Sequence, residues 1–319
     1  MSMIVAITGG TGFIGRKLVL RHLERGDEVR VLSRRSLEES GLPDSVKWCS
    51  GDLSSTGDLH AFVDKVDVLY HCAGEIRDTA RMEAVHVAGT DRLIKSSTGR
   101  IGRWVQLSSV GAYGLLHRQG IVTEATSLKP KGAYEVTKVQ SDRLVVDAAE
   151  KGAFEHVILR PSIVYGTEMT NRSLFSLIAL INRGWFFFIG KPGASANYIH
   201  VDNVAEALLL CGTVAHAKGH VYNLSDYRSL ENFVEIISHA LGREFPQLRI
   251  HELPVRVLVK LLGWVPGMPL TESRVNALTN FTVYQNTKIE QELGYRHVIS
   301  MEDGLTQLVA YWQANQAQK

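Results

Sequence analysis

The chain has 319 residues, 45% hydrophobic and 21% charged, with 28 Gly and 8 Pro. That composition excludes disorder, collagen-like repeats and a disulfide scaffold, and the length suits one large domain or a large domain with a smaller partner. Lys plus Arg number 35 against 33 Asp plus Glu, a net charge of +2 without any basic tract, so nucleic-acid binding lacks its electrostatic basis and a small-molecule substrate is expected.

Cys49, Cys72 and Cys211 are odd in number and widely spaced, with neither disulfide arithmetic nor zinc spacing, which fits a reducing cytosol. The opening MSMIVAITGG reaches Gly9 too soon for a secretory signal and has no basic n-region. The longest apolar stretch, residues 174–189, is interrupted by Asn182, Arg183 and Gly184 and is too short to span a bilayer, so it reads as a buried helix followed by a strand. A cytoplasmic protein with no integral membrane segment is expected. His216 and His220 have Gly219 between them and no third ligand nearby, so no metal is expected.

In chain order, residues 4–8 form an apolar, β-branched run that enters a glycine-rich turn and an amphipathic helix over 13–24. Strands are predicted at 29–32, around Trp48 and at 66–70, then a helix over 79–96, a strand at 104–107, a helix over 133–150 and a strand at 157–159. Strands alternating with helices of this length mean βαβ units and a doubly wound parallel sheet of the α/β class. Beyond about Arg160 the pattern loosens. Helices at 174–182, 202–211, 230–241 and 255–262 are mixed with Gly- and Pro-rich loops at 190–196 and 263–269. Residues 1–165 are expected to form the dinucleotide-binding domain, with 195–225 returning to it, and 166–319 mainly a smaller, discontinuous substrate lobe.

The turn Thr8-Gly9-Gly10-Thr11-Gly12-Phe13-Ile14-Gly15 lies between the first strand and the first helix. Glycines at 9, 12 and 15 allow a tight bend, close approach of a pyrophosphate and close helix–strand packing, while the helix N-terminus offers free N–H groups. The spacing is GxxGxxG, not GxGxxG. After the second strand, where an acidic residue would accept from a ribose hydroxyl of NAD, the chain has Ser33-Arg34-Arg35, which suits a 2′-phosphate and favours NADP over NAD. Asp52 follows the third strand and is positioned to accept from an adenine amino group.

Tyr134 and Lys138 stand at i and i+4 near a helix start and share a face. A lysine beside the phenol would lower its pKa from about 10, allowing proton transfer to a substrate oxygen. Ser109, at the end of a strand, could hydrogen-bond the same oxygen.

With TGGTGFIG, Ser109 in LSSVGAYG and Tyr134/Lys138 in YEVTK, the chain resembles an extended short-chain dehydrogenase/reductase of the NAD(P)-dependent epimerase/dehydratase group. HCAG at 71–74, LRPSIVYG at 159–166 and NYIHVDNVAEAL at 197–208 extend the resemblance over essentially the whole chain. It implies a Rossmann-like domain, a nicotinamide cofactor, hydride exchange with a secondary alcohol or ketone, and a homodimer formed through a four-helix interface. Carried over by position, Ser109 orients the substrate oxygen, Tyr134 is the acid/base, and Lys138 lowers the tyrosine pKa and holds the nicotinamide ribose. Cofactor contacts are implied for Gly9, Thr11, Gly12, Phe13, Ile14 and Gly15 in the turn, and for Ser33, Arg34, Arg35, Asp52 and Leu53 beside it. Further contacts are implied for Cys72, Ala73, Gly74 and Leu107, with Pro161, Ile163 and Val164 lining the nicotinamide pocket.

Departures narrow the reaction. Dehydratases of this group carry an Asp-Glu pair where Val110 and Gly111 stand, so elimination lacks its general acid. Nucleotide-sugar epimerases carry an arginine at the position of Ala196, and many relatives have Asn where His86 stands. The resemblance points first to a nucleotide-diphospho-sugar keto-reductase or epimerase. A reductase or dehydrogenase of a hydrophobic, sterol- or flavonol-like ketone is the alternative, favoured by Ala196 and the C-terminal run LTESRVNALTNFTVYQNTKIEQELGY. A non-catalytic dinucleotide-binding regulator is the reading from another class, and the joint presence of Ser109, Tyr134 and Lys138 argues against it. The run Gly184-Trp185-Phe186-Phe187-Phe188 reads as aromatic core packing, and residues 255–265 as a helix covering the substrate lobe.

Overall fold

The computed structural model describes residues 2–55, 57–114, 120–262 and 270–317. Seven strands form one all-parallel sheet: β1 (Ile4–Thr8), β2 (Glu28–Ser33), β3 (Lys47–Ser50), β4 (Val66–His71), β5 (Ile101–Leu107), β6 (Glu155–Pro161) and β7 (His220–Leu224). Their spatial order is β3-β2-β1-β4-β5-β6-β7. Val5, Ala6 and Ile7 are fully buried, as expected of a central strand covered on both faces. On one face α1 (Phe13–Glu24) packs with the helix Val201–Thr213, burying Leu18, Val19, Val204 and Leu208. The other face is covered by α2 (Gly89–Ser97) and α3 (Ala133–Glu150), with Leu93, Ile94 and Val145 against Trp104. The strand order reverses between β1 and β4, which opens a crevice at the C-terminal edge where doubly wound sheets bind ligands.

The predicted helices at 13–24 and 133–150 are found at those boundaries. The helix expected over 79–96 differs in kind: Thr79–Met82 and α2 are joined by a π turn at Glu83–Ala88, which puts His86 inside, 1% exposed. The Gly/Pro loop expected at 190–196 ends earlier, because Ser195–His200 is a strand paired with Ile163–Tyr165 and Asp226–Ser229. The loop expected at 263–269 lies outside the described residues. A second core gathers Ile178, Phe188, Phe233, Ile237 and Leu305. Phe186 and Phe188 belong to it, whereas Trp185 is exposed. The helix Glu252–Leu262 buries Val255 and Val259 against Ile189 and Val275. Ile289, Leu293 and Tyr295 return to the first core.

The helix Val201–Thr213 lies tightly on β4, since a Cβ at Gly212 would fall 1.9 Å from the Tyr70 hydroxyl oxygen. That oxygen is buried and has no hydrogen-bond partner among the described residues. Tyr70→Phe should therefore be neutral or stabilising by about 1 kcal/mol. Gly212→Ala should cost about 1–3 kcal/mol in the native chain and less in the Tyr70→Phe background. Denaturant unfolding of the four proteins measures this, and an equal cost in both backgrounds would refute the contact.

Candidate active site

The C-terminal ends of β1, β2, β4, β5 and β6 deliver Thr8, Ser33, His71, Leu107 and Pro161 to one edge. After Thr8 the chain turns through Gly9, whose φ is +68°, and its carbonyl accepts from Gly12 N–H at 2.9 Å. A Cβ at Gly9 would meet Ala73 N at 2.7 Å, and one at Gly15 would meet the Gly9 carbonyl oxygen at 2.2 Å. Glycine is required at both positions, and the first turn of α1 is thereby pressed against the edge of the crevice. No acidic residue stands in that first turn. Bare N–H groups, the positive helix end and the cradle that a side chain would fill all fit a pyrophosphate.

Two cavities adjoin at Ala73 and Gly74. The first, about 250 Å³, is lined by Gly9, Thr11, Gly12, Ser33, Arg34, Asp52 and Leu53. The second, about 720 Å³, contains Phe13, Ile14, Cys72 and Leu107, then Ser109, Tyr134 and Lys138, and on its far wall Pro161, Ile163 and Val164. Of the residues expected from sequence, Gly15 lies behind the turn and Arg35 does not line either cavity. The first cavity gains Arg81, 47 residues beyond Arg34, which no local motif announces. Arg34 lies 3.9 Å from Asp52, an exposed pair of little strength. Asp52 also accepts from Ser54 N–H at 2.8 Å.

Ser109 precedes a short 3-10 turn, Val110–Tyr113, its hydroxyl accepts from Gly111 N–H at 3.1 Å, and it lines the same cavity as Tyr134. One turn of α3 beyond Tyr134, the Lys138 ammonium is buried and donates to the Leu107 carbonyl at 2.5 Å. Asp142, a further turn on, accepts from Ser108 at 2.7 Å and from Arg160 at 3.3 Å. Burial pushes the phenol up to about 12, the Asp142 carboxylate adds to the rise, and Ser109 only partly offsets it. The tyrosine is a protonated donor at neutral pH. Burial also holds Lys138 below the usual lysine range, with Asp142 opposing the shift.

Behind the site are two buried imidazoles, His71 and His86, whose pairing no local motif announces. His71 bridges Thr8 at 2.7 Å and Thr90 at 2.9 Å, while His86 bridges Glu75 N–H and Thr137, each at 2.8 Å. Burial, reinforced by the Lys138 charge, holds His71 well below the usual range and His86 down at about 4. Among the described residues no carboxylate lines the second cavity, no cluster of three or more His, Cys, Asp or Glu could hold a metal ion, and no helix is long and apolar enough to cross a membrane.

The model of the NAD-dependent epimerase/dehydratase family matches residues 5–225, and the chain belongs to that family. It is an NAD(P)-dependent enzyme of the extended short-chain dehydrogenase/reductase type. Short-chain dehydrogenase/reductase family 42E member 1 of Mus musculus is 29% identical, over 95% of this chain and 82% of its own. The 3 beta-hydroxysteroid dehydrogenase/Delta 5→4-isomerase of Mycobacterium tuberculosis is 25% identical over 97% and 90%. In structure the chain is similar to UDP-glucuronic acid 4-epimerase from Bacillus cereus in complex with NAD, with a TM-score of 0.76, 19% identity and coverage of 99% and 100%. That likeness shows the fold.

The two histidines favour a loss of stability in acid, as do the lowered His22, His156 and His200, while the raised Asp142 and Asp226 oppose it. Each histidine has a folded pKa below its unfolded value of 6.5, so the unfolded chain binds protons first as pH falls. Stability should decline from about pH 6.5 and continue to fall towards pH 4, before lowered carboxylates such as Asp52 and Glu75 contribute. Denaturant midpoints between pH 7.5 and 5 test this, and a flat or rising profile towards acid would refute the histidine contribution as the dominant one.

Proposed function

We propose that the enzyme interconverts a ring secondary alcohol and its ketone on an apolar, sterol-like scaffold, with NADP(H) preferred. The observation that carries this reading is the wall of the larger cavity. Ile76 and Met169 line it together with Ser109 and Tyr134, and Phe13, Ile14, Pro161 and Ile163, expected against the cofactor, add to its apolar lining. An apolar lining of this kind rewards a hydrophobic substrate. Ala196 is 3% exposed inside the second core and offers nothing to a diphosphate. The names of the curated relatives, which include 3 beta-hydroxysteroid dehydrogenases, point the same way. The lining and the relatives thus move the reading from the nucleotide sugar that motifs alone favour to the hydrophobic ketone.

A bound nicotinamide supplies or takes the hydride. The chain's own part is to hold the substrate oxygen between Ser109 and Tyr134 and to donate the phenol proton as the carbonyl becomes an alkoxide. Lys138 keeps a fixed positive charge beneath the site.

One observation keeps the nucleotide sugar as a second reading. Arg77 and Arg172 line the cavity, and neither has a carboxylate within ion-pair distance among the described residues. Incubation with NADP(H) and either 3-hydroxy- and 3-ketosteroids or UDP-glucose and UDP-glucuronic acid separates the two. Cofactor consumed in step with ketone is expected, with Tyr134→Phe slower by a hundredfold or more, on the order of one lost general acid. Epimerised UDP-sugar with no net change of cofactor would overturn the sterol-like reading.

The NADP preference rests on Arg34 at the rim of the first cavity and on Ser33 where an acidic residue would repel a 2′-phosphate. Fluorescence titration should give tighter NADPH than NADH binding. Arg34→Ser should weaken NADPH by about tenfold or more while leaving NADH nearly unchanged. Equal affinities in the native protein would remove the preference.

A further inference from the structure

His86 sits in the π turn at Glu83–Ala88, a local widening of the helix that often marks functional positions. The hydrogen-bond network assigns its tautomer. The Glu75 backbone N–H can only donate, so Nε2 carries no proton and the neutral ring holds its hydrogen on Nδ1. Nδ1 then donates to Thr137 Oγ1, whose own hydrogen goes to the Ala133 carbonyl at 2.8 Å. Thr137 lies on α3 between Tyr134 and Lys138. The imidazole edge also meets the Tyr134 ring, with centroids 5.6 Å apart and planes at 78°. On its other side the ring lies against Gly74, where an added Cβ would stand 3.3 Å from Nε2. Gly74 is common to both cavities.

We propose that His86 is a positioning residue that clamps the Ala73–Gly74–Glu75 loop on the cofactor side to the first turn of the catalytic helix, and so sets cofactor grip and Tyr134 placement together. Two oppositely placed nitrogens, one accepting and one donating, are what this requires. A neutral ring supplies both, and burial with the Lys138 charge keeps it neutral. The clamp rests on the reading of Tyr134 as proton donor but not on any choice of substrate.

Two substitutions divide the clamp. His86→Gln can place an acceptor near the Nε2 position while losing the donor to Thr137. His86→Asn keeps a donor near the Nδ1 position but falls short of Glu75. The measurements are the NADPH dissociation constant by fluorescence, and kcat at saturating NADPH with whichever ketone the enzyme turns over. His86→Asn should act mainly on NADPH affinity, weakening it about tenfold, and His86→Gln mainly on kcat, lowering it about tenfold, as for one buried hydrogen bond lost. His86→Ala should show both losses. Thr137→Val leaves the imidazole in place and should reproduce the kcat loss of His86→Gln, which keeps the test open if a His86 variant does not fold. Variants that lower only the melting temperature, with NADPH affinity and kcat unchanged, would make His86 a packing residue and overturn the proposal. A Tyr134→Phe enzyme with undiminished kcat would instead remove the proton-donor reading, and NADPH affinity would still report on the loop side of the clamp.

Discussion

The site depends on a buried chain of hydrogen bonds whose directions admit one arrangement. Thr8 Oγ1 accepts from Ala73 N–H at 3.3 Å and donates to His71 Nδ1, which leaves the His71 hydrogen on Nε2 to be given to Thr90. Thr90 donates to the His86 carbonyl at 2.6 Å and accepts from Ser141, which accepts in turn from the Gln106 amide at 2.9 Å. Thr8, His71, Thr90, Gln106 and Ser141 are all 0–1% exposed, so no bulk water can replace a lost partner. The chain joins β1, β4, β5, α2 and α3. The glycine turn that fits a pyrophosphate and the helix that carries Tyr134 are therefore parts of one rigid body. His71 can serve only while neutral, since a proton on Nδ1 would face the Thr8 oxygen in place of a lone pair and reverse the order of the chain.

Charge in the site is arranged as strictly as the hydrogen bonds. Lys138 and Arg160 place two positive charges around the single Asp142 carboxylate, all of it away from solvent. Such clusters add little net stability, because desolvation offsets most of the attraction. Their consequence here is electrical. Asp142 raises the Tyr134 phenol while it holds Lys138 charged against burial, so one carboxylate acts on both halves of the tyrosine–lysine pair.

Much of this was legible in the residues. The β1 run, the glycine turn and the helix at 13–24 follow from local propensity and from a period that changes within a few residues, and YEVTK marks the face of α3 that meets the crevice. What was not legible depends on contacts remote in sequence. The π turn has the same apolar spacing as a plain helix, so nothing in 79–96 announced that His86 points inward. Arg81 lines the first cavity from the short helix Thr79–Met82, far in sequence from Arg34. The partner of Lys138 is a backbone carbonyl, which has no sequence signature. The small sheet that pairs Ser195–His200 antiparallel to Asp226–Ser229 is also non-local, and glycines at 190 and 193 made its approach look like loop.

The cleft has two walls of different build. Its inner wall is the rigid body just described. Its outer wall is the segment 169–172, which follows the strand Ile163–Tyr165 and is anchored by Met169 and Leu174 in the second core. The two walls touch where Arg77 donates to the Thr170 carbonyl at 3.3 Å. Arg77 belongs to the loop whose start His86 holds, so its backbone is fixed while its guanidinium remains exposed at the cavity mouth. A change of residue at 76, 77, 169 or 172 can alter the shape and charge offered to a substrate without disturbing any buried hydrogen bond. That separation lets one fold, with the same Ser-Tyr-Lys geometry, serve polar sugars in some members and apolar rings in others. In this chain those four positions are Ile76, Arg77, Met169 and Arg172, two apolar and two basic.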